Sequence, residues 1–156
     1  MIATNAGRFV DVRLSTERPM WPKLNPQPES ELAAARLALH WAAQIPAAAS
    51  SLVPAADDYT HTSLTWTNGS LVTSSLGDSR RRVALDLLGF AVELIDDEGP
   101  TQRLPLSGHT ISSAVSWLSA HLGTELSLLP HELPEHPVGS GERFADPDPA
   151  TLEALY

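Results

Sequence analysis

The sequence predicts an α+β fold: an antiparallel meander sheet of about five strands with two main helices packed on one face. Three observations carry this. Between His61 and Leu106, strand-length runs of Thr, Val, Leu and aromatic residues alternate with turn signals. Within that stretch Asn68-Gly69 separates two such runs, a strong two-residue hairpin signal. The stretch is flanked by ELAAARLALHWAAQI and ISSAVSWLSAHLG, whose apolar residues recur at helical spacing.

The elements follow in chain order. Phe9 to Leu14 alternates, with Val10, Val12 and Leu14 on one face of a short strand. Ser15 to Pro28 contains Pro19, Pro22, Pro26 and Pro28 and reads as an extended loop. Ser30 caps the first helix and Glu31 opens it, because a carboxylate suits the positive N-terminal end. That helix is expected to stop at Pro46, whose ring and missing N–H end a helix. Leu32, Ala35, Leu39 and Ala43 form its core stripe, widened by Leu37, Trp41 and Ile45.

Ala47 to Asp58 is apolar but broken by Pro54, and reads as an extra strand or a loop over the core. His61 then leads into the first strand of the meander. Leu64 and Trp66 share a face, with Leu71 and Thr73 cross-strand from them if the Asn-Gly turn is type I′. Val83, Leu85 and Leu87 continue the alternation, and Phe90, Val92 and Leu94 return it after a break at Gly89. A turn at Asp96 to Pro100 leads to the last strand. Ser107 or Thr110 caps the second helix, whose core residues are Ile111, Ala114, Val115 and Leu118, and Gly123 ends it. Trp66 and Trp117 are expected to meet in the core. The tail is turn-rich, with a short helix from Pro149 to Tyr156. The chain thus divides into residues 1–28 (strand and Pro-rich segment), an α+β core at 29–123 and a tail at 124–156 of the same domain.

Composition narrows the function. A formal net charge of -9 argues against a nucleic-acid surface, which needs clustered Lys and Arg. The Arg80-Arg81-Arg82 run reads as a charged strand opening that protects a sheet edge. The chain has 0 cysteines, which rules out disulfides, thiolate nucleophiles and Cys-ligated metals. The first residues lack the apolar region of a signal peptide, and no run approaches about 18 apolar residues, so neither export nor a membrane span is expected. The expected location is the cytoplasm. Thr62, Ser63, Thr65, Thr67, Ser74 and Ser75 make part of the sheet polar, and its second face needs cover from the Pro-rich segments or a second copy. A homodimer is the expectation.

The candidate ligand-binding residues are His40, Gln44, Tyr59 and His61. His40 and Gln44 lie four apart on one helix face, offset from the core stripe. Tyr59 and His61 share one side of the segment that leads into the sheet. Two imidazoles, an amide and a phenol can line a polar pocket or, as the least favoured reading, hold one metal ion, since neutral imidazole is a good ligand. The plainer reading is that they tie down loop carbonyls and strand neighbours. His131-Glu132…Glu135-His136 has residue types that suit zinc, but its histidines are five apart with Pro134 between them, so no metal is expected there. Ser107-Gly108-His109 lacks a nucleophile elbow and reads as a helix cap. Asp96, Asp97 and Glu98 read as a solvated turn. No phosphate-binding glycine loop is present, and no cofactor is expected.

In order and spacing, several of these residues resemble DUF5996, a bacterial family with no established function. They are Trp21-Pro22, Leu39-His40 with Gln44-Ile45 (with the family's Trp shifted by one place to Trp41), Tyr59-Thr60-His61, Thr67 to Leu71, and Arg103-Leu104-Pro105-Leu106. Glu135 to Val138, Phe144-Ala145-Asp146 and Asp148-Pro149 resemble the family's tail. The resemblance covers most of Trp21 to Tyr156. Gly69 and Ser70 depart from the family's turn, which has a larger residue and then Gly. Family members run on into an aromatic-rich second half, so the resemblance implies that a site built from both halves is lacking here or is completed by a partner. It implies an α+β domain and no assigned chemistry.

Two functions follow as expectations. The first is a non-catalytic module that binds a small molecule or a protein. The alternative is a small hydrolase or isomerase-like enzyme with His40 or His61 as general acid/base.

Overall fold

A computed structural model describes residues 29–58 and 60–155. The strand expected at Phe9 to Leu14, the Pro-rich loop after it and Tyr59 lie outside the described residues. The elements are α1 (Glu29–Ala49), β1 (Thr65–Thr67), β2 (Ser70–Val72), β3 (Arg82–Asp86), β4 (Ala91–Asp96), β5 (Gly99–Pro105), α2 (Ile111–Leu122) and α3 (Pro149–Glu153). The five strands pair antiparallel in the order β1-β2-β3-β4-β5, the meander that the sequence predicts.

Helix α1 departs from expectation at both ends. Glu29 and Ser30 are both already helical, so Ser30 lies inside the helix instead of capping it. The helix also runs through Pro46 to Ala49. Proline in a helix interior costs about 3 kcal/mol. Packing overrides that cost: Ile45, Ala48 and Ala49 are fully enclosed and Pro46 is itself buried. Burial of an Ile side chain alone returns about 2 kcal/mol. The chain leaves the helix through a 3₁₀ turn at Ser50–Leu52, where Ser50 Oγ donates to the Ala47 carbonyl at 2.6 Å and Ser51 Oγ to that of Ala48 at 2.8 Å. No strand forms between Ala47 and Asp58.

The buried face of α1 is also rotated and shortened. It comprises Trp41, Ala42, Ile45, Pro46, Ala48 and Ala49, whereas Leu39 and Ala43 flank the core half-buried. Only the C-terminal half of the helix is sunk into the core. Before Trp41 only Leu37 and Leu39 pack against the core, at its edge, and Leu32 and Ala35 are not part of it.

His61 sits in a 3₁₀ turn, Thr60–Thr62, and the first strand begins only at Thr65. The Asp58 carboxylate accepts from the Thr60 amide at 3.1 Å and from its hydroxyl at 2.8 Å, a local turn that competes with extended backbone. The following hairpin matches the sequence reading. Asn68 and Gly69 take φ of 49° and 83°, as a type I′ turn requires, and Trp66 lies opposite Leu71.

Val83, Leu85 and Leu87 with Phe90, Val92 and Leu94 face α1 and α2 in one core, joined by Leu104 and Leu106. The β4–β5 pairing carries a bulge at Leu94/Ile95. On the opposite face Val72, Ala84 and Ala91 are buried within the single chain. The Arg103 guanidinium spans that face, bonding Asp86 at 2.7 Å and also Glu93.

Two further expectations are corrected. The Arg run does not guard a sheet edge, since β3 is the central strand. Instead Arg80 pairs with Asp97 at 3.2 Å, and Arg81 donates to the His121 carbonyl in the last turn of α2. Trp66 and Trp117 do not meet in the core. Trp66 is 53% exposed on the short edge strand, while Trp117 stacks on His121 along α2 with ring centroids 4.4 Å apart. The sheet-facing side of α2 is already filled by Ile111, Ala114, Val115 and Leu118. Thr110 caps α2 in a reciprocal pair with Ser113. Among the described residues, no helix is long and apolar enough to cross a membrane.

Candidate functional site

His40, Gln44 and His61 are not among the residues that line the space of about 500 Å³ beside the N-terminal half of α1. His40 is exposed on α1 and Gln44 is half-buried beside it. The Nδ1 atom of His61 accepts from the Ala56 amide at 3.1 Å, which puts the neutral ring's proton on Nε2. Tyr59 is outside the described residues. Asp58, near His61, has its carboxyl held below the ordinary value, first by the Thr60 hydroxyl and then by the Thr60 amide.

The cavity lies at the other end of α1 and is built largely by the tail. Trp41 is the anchor. Its indole Nε1 donates to the Pro134 carbonyl at 3.2 Å, and its ring meets His131 edge-on at 4.7 Å. Gly139 lies against the same ring: a Cβ there would be 2.5 Å from the Trp41 Cη2 atom. Around this contact the tail folds into tight turns, with the Gly139 amide donating to His136 and the Glu142 amide to Pro137. The tail then runs beside the start of α2, where Phe144 exchanges backbone hydrogen bonds with Gly108 and His109. Asp148 caps α3 by accepting from the Thr151 amide at 3.0 Å and hydroxyl at 2.8 Å.

Because the N-terminal half of α1 carries Ala34, Ala35 and Ala38 where bulkier side chains would fill the gap, a space of about 500 Å³ remains between it, the tail and α3. Its other walls are apolar: Leu39, Phe90, Val138, Phe144 and Leu152. Two members of the predicted core stripe, Ala35 and Leu39, therefore line this cavity, Leu39 while also packing against the edge of the core. Phe90 is the strained member, with φ of 43° despite its bulk. Such backbone costs about 1–3 kcal/mol and persists only when its surroundings impose it. Here the Phe90 ring packs edge-on against Phe144 at 5.6 Å, and its carbonyl accepts from the Leu106 amide.

Charged groups ring the solvent side: Glu31, Glu142, Asp146 and Asp148, with Arg143. The Arg143 guanidinium donates to the Gly108 carbonyl. His136 Nδ1 accepts from the Val138 amide at 3.3 Å. The HELPEH segment thus supplies an aromatic contact and a turn. Among the described residues, no three potential ligands gather to hold a metal ion. Ser107 and His109 stand just before α2, and two carboxylates of the sheet, Asp86 and Glu93, are paired with Arg103.

Sequence reasoning missed the tail's part in this site. The available signals were Val138 and Phe144, isolated apolar residues in a polar Pro-rich stretch, and the alanine excess in the first helix. No family model, curated protein or solved structure matches this chain.

Proposed function

We propose that the protein is a non-catalytic binding module that holds a small, mainly apolar molecule between α1, the tail and α3. The observation that carries this reading is the space of about 500 Å³ with apolar walls, a size typical of small-molecule sites. Its polar neighbours favour binding over chemistry. The Thr151 hydroxyl donates to Asp148, and His136 Nδ1 serves a turn, so neither is arranged as a nucleophile or as its base. Each methylene moved from water into such walls contributes about 0.8 kcal/mol.

Membership of DUF5996, a cytoplasmic location and self-association belong to the same proposal. They rest on residue order, composition and the polar sheet, and they add no chemistry to it.

The test is thermal unfolding of the full chain with and without octanol, since a ligand that binds only the folded state raises the melting temperature. A rise that disappears in Ala38→Trp, where an indole fills the space, supports the reading, provided circular dichroism shows the fold retained. No rise, or a rise that survives the substitution, overturns it.

A further inference from the structure

Resting on that reading, we infer that the bound molecule carries a hydrogen-bond donor, a hydroxyl or an N–H, and gives it to Thr151 Oγ1. Thr151 lines the space and is only 6% exposed. Its hydroxyl is not free to choose a role. The proton goes to the Asp148 carboxylate at 2.8 Å, and the Thr151 amide goes to the same oxygen at 3.0 Å. A bond to an ionised acceptor is of the strong kind, so it fixes the direction of the O–H. Oγ1 is left with lone pairs and no proton to offer, which makes it an acceptor. Among the described residues no donor reaches it.

The other polar groups around the space discriminate less. Glu31, Glu142, Arg143 and Asp146 are exposed, carry both signs and stay hydrated, so none of them selects a ligand by charge. His136 offers the opposite sense to Thr151. Its Nδ1 is taken by the Val138 amide, which leaves a ring N–H, but the residue is half-buried and water can serve it. Among the described lining residues, Thr151 is the one buried polar side chain. A ligand that brings a donor gives that oxygen a partner. A ligand of the same shape without one leaves it unpaired against an apolar surface, and sites of this kind discriminate through that penalty.

The experiment is calorimetric titration of the full chain with octanol and its isomer heptyl methyl ether, which has the same atoms but no O–H. In Thr151→Val, which keeps the shape and removes the acceptor, octanol should bind about fivefold more weakly, the ordinary net worth of one hydrogen bond, while the ether is unchanged. Thr151→Ser should bind octanol as the parent chain does. No change in octanol, a loss in the ether at least as large, or a loss in Thr151→Ser equal to that in Thr151→Val overturns the hydrogen bond and leaves the apolar site standing. Binding of neither probe to the parent chain overturns both. In the parent chain itself, the protons beside the octanol hydroxyl should show nuclear Overhauser contacts to the Thr151 methyl group. Contacts to that methyl from the far end of the octanol chain alone overturn the inference, even if Thr151→Val fails to fold.

Discussion

Gly139 lies so close to Trp41 that a single added Cβ would sit 2.5 Å from the indole. The contact clamps the tail to α1, and the hydrogen bond from Trp41 Nε1 to the Pro134 carbonyl secures the same segment. Gly139→Ala should therefore destabilise the fold by about 1–3 kcal/mol through overpacking. It should also speed amide exchange across residues 131–148 more than in the sheet. Chemical denaturation with residue-resolved exchange measures both, and uniform exchange across the two regions would refute the clamp.

Ile45 and Pro46 make a second case. If packing holds the last turn of α1 past the proline, Ile45→Ala should cost about 2–4 kcal/mol by the usual scale for enclosed aliphatic residues. The residues after Pro46 should lose helical chemical shifts first. A cost below about 0.5 kcal/mol would mean that local propensity already sustains the turn.

Arg103 faces two carboxylates on the outer side of the sheet, and its own proton is held more firmly than usual, chiefly by Asp86 and further by Glu93. Arg103→Leu removes the one cation that, among the described residues, pairs with Asp86 and Glu93, and leaves both carboxylates on the same face of the sheet. The expected loss is about 1–2 kcal/mol, since the Arg side chain is 42% exposed and the interaction is partly screened. Adding Glu93→Gln should recover part of it. A double variant less stable than Arg103→Leu would contradict this account.

Asp58 gives a pH dependence with a defined sign. Its carboxyl is depressed from the ordinary 3.8 by the Thr60 hydroxyl first and the Thr60 amide second. A depressed carboxylate contributes stability that is fully present above the unfolded value, and that contribution is lost as pH falls through the lower folded value. The turn before β1 should thus loosen only in acid below about pH 3.8. Carboxylate titration by NMR should find Asp58 below its ordinary value in the native chain and closer to it in Thr60→Val. Identical titration of the two proteins would remove the hydroxyl as the cause.

The meander was legible because each of its constraints is local. Asn68-Gly69 can meet the positive φ of its turn, and alternation fixes which side chains of β3 and β4 face the helices. Thr110 and Gly123 mark the ends of α2 for the same reason. The first helix was less legible. Its apolar residues surround much of its circumference, so spacing alone does not choose between the Leu32–Ala35–Leu39 side and the Trp41–Ile45–Ala48 side. That choice is made by where the sheet lies and by the tail. Pro46 misled because a local rule lost to burial of its neighbours. The cavity itself is a non-local object: its two walls are about a hundred residues apart in the chain, as Ala38 and Val138 illustrate, and no short-range pattern joins them.

The separation of Trp41 and Pro134 by 93 positions has a kinetic consequence. Hairpins between adjacent strands close on a timescale of about 1–10 μs, whereas a contact across most of the chain carries a larger loop-closure cost until the intervening structure has formed. The meander and α2 are therefore expected to organise before the tail reaches the indole. On that order of events the cavity between α1, the tail and α3 is absent from early folding states and is completed by a single late docking step. Its opening would then be the first reversal of folding, so a bound molecule would slow unfolding more than it speeds folding.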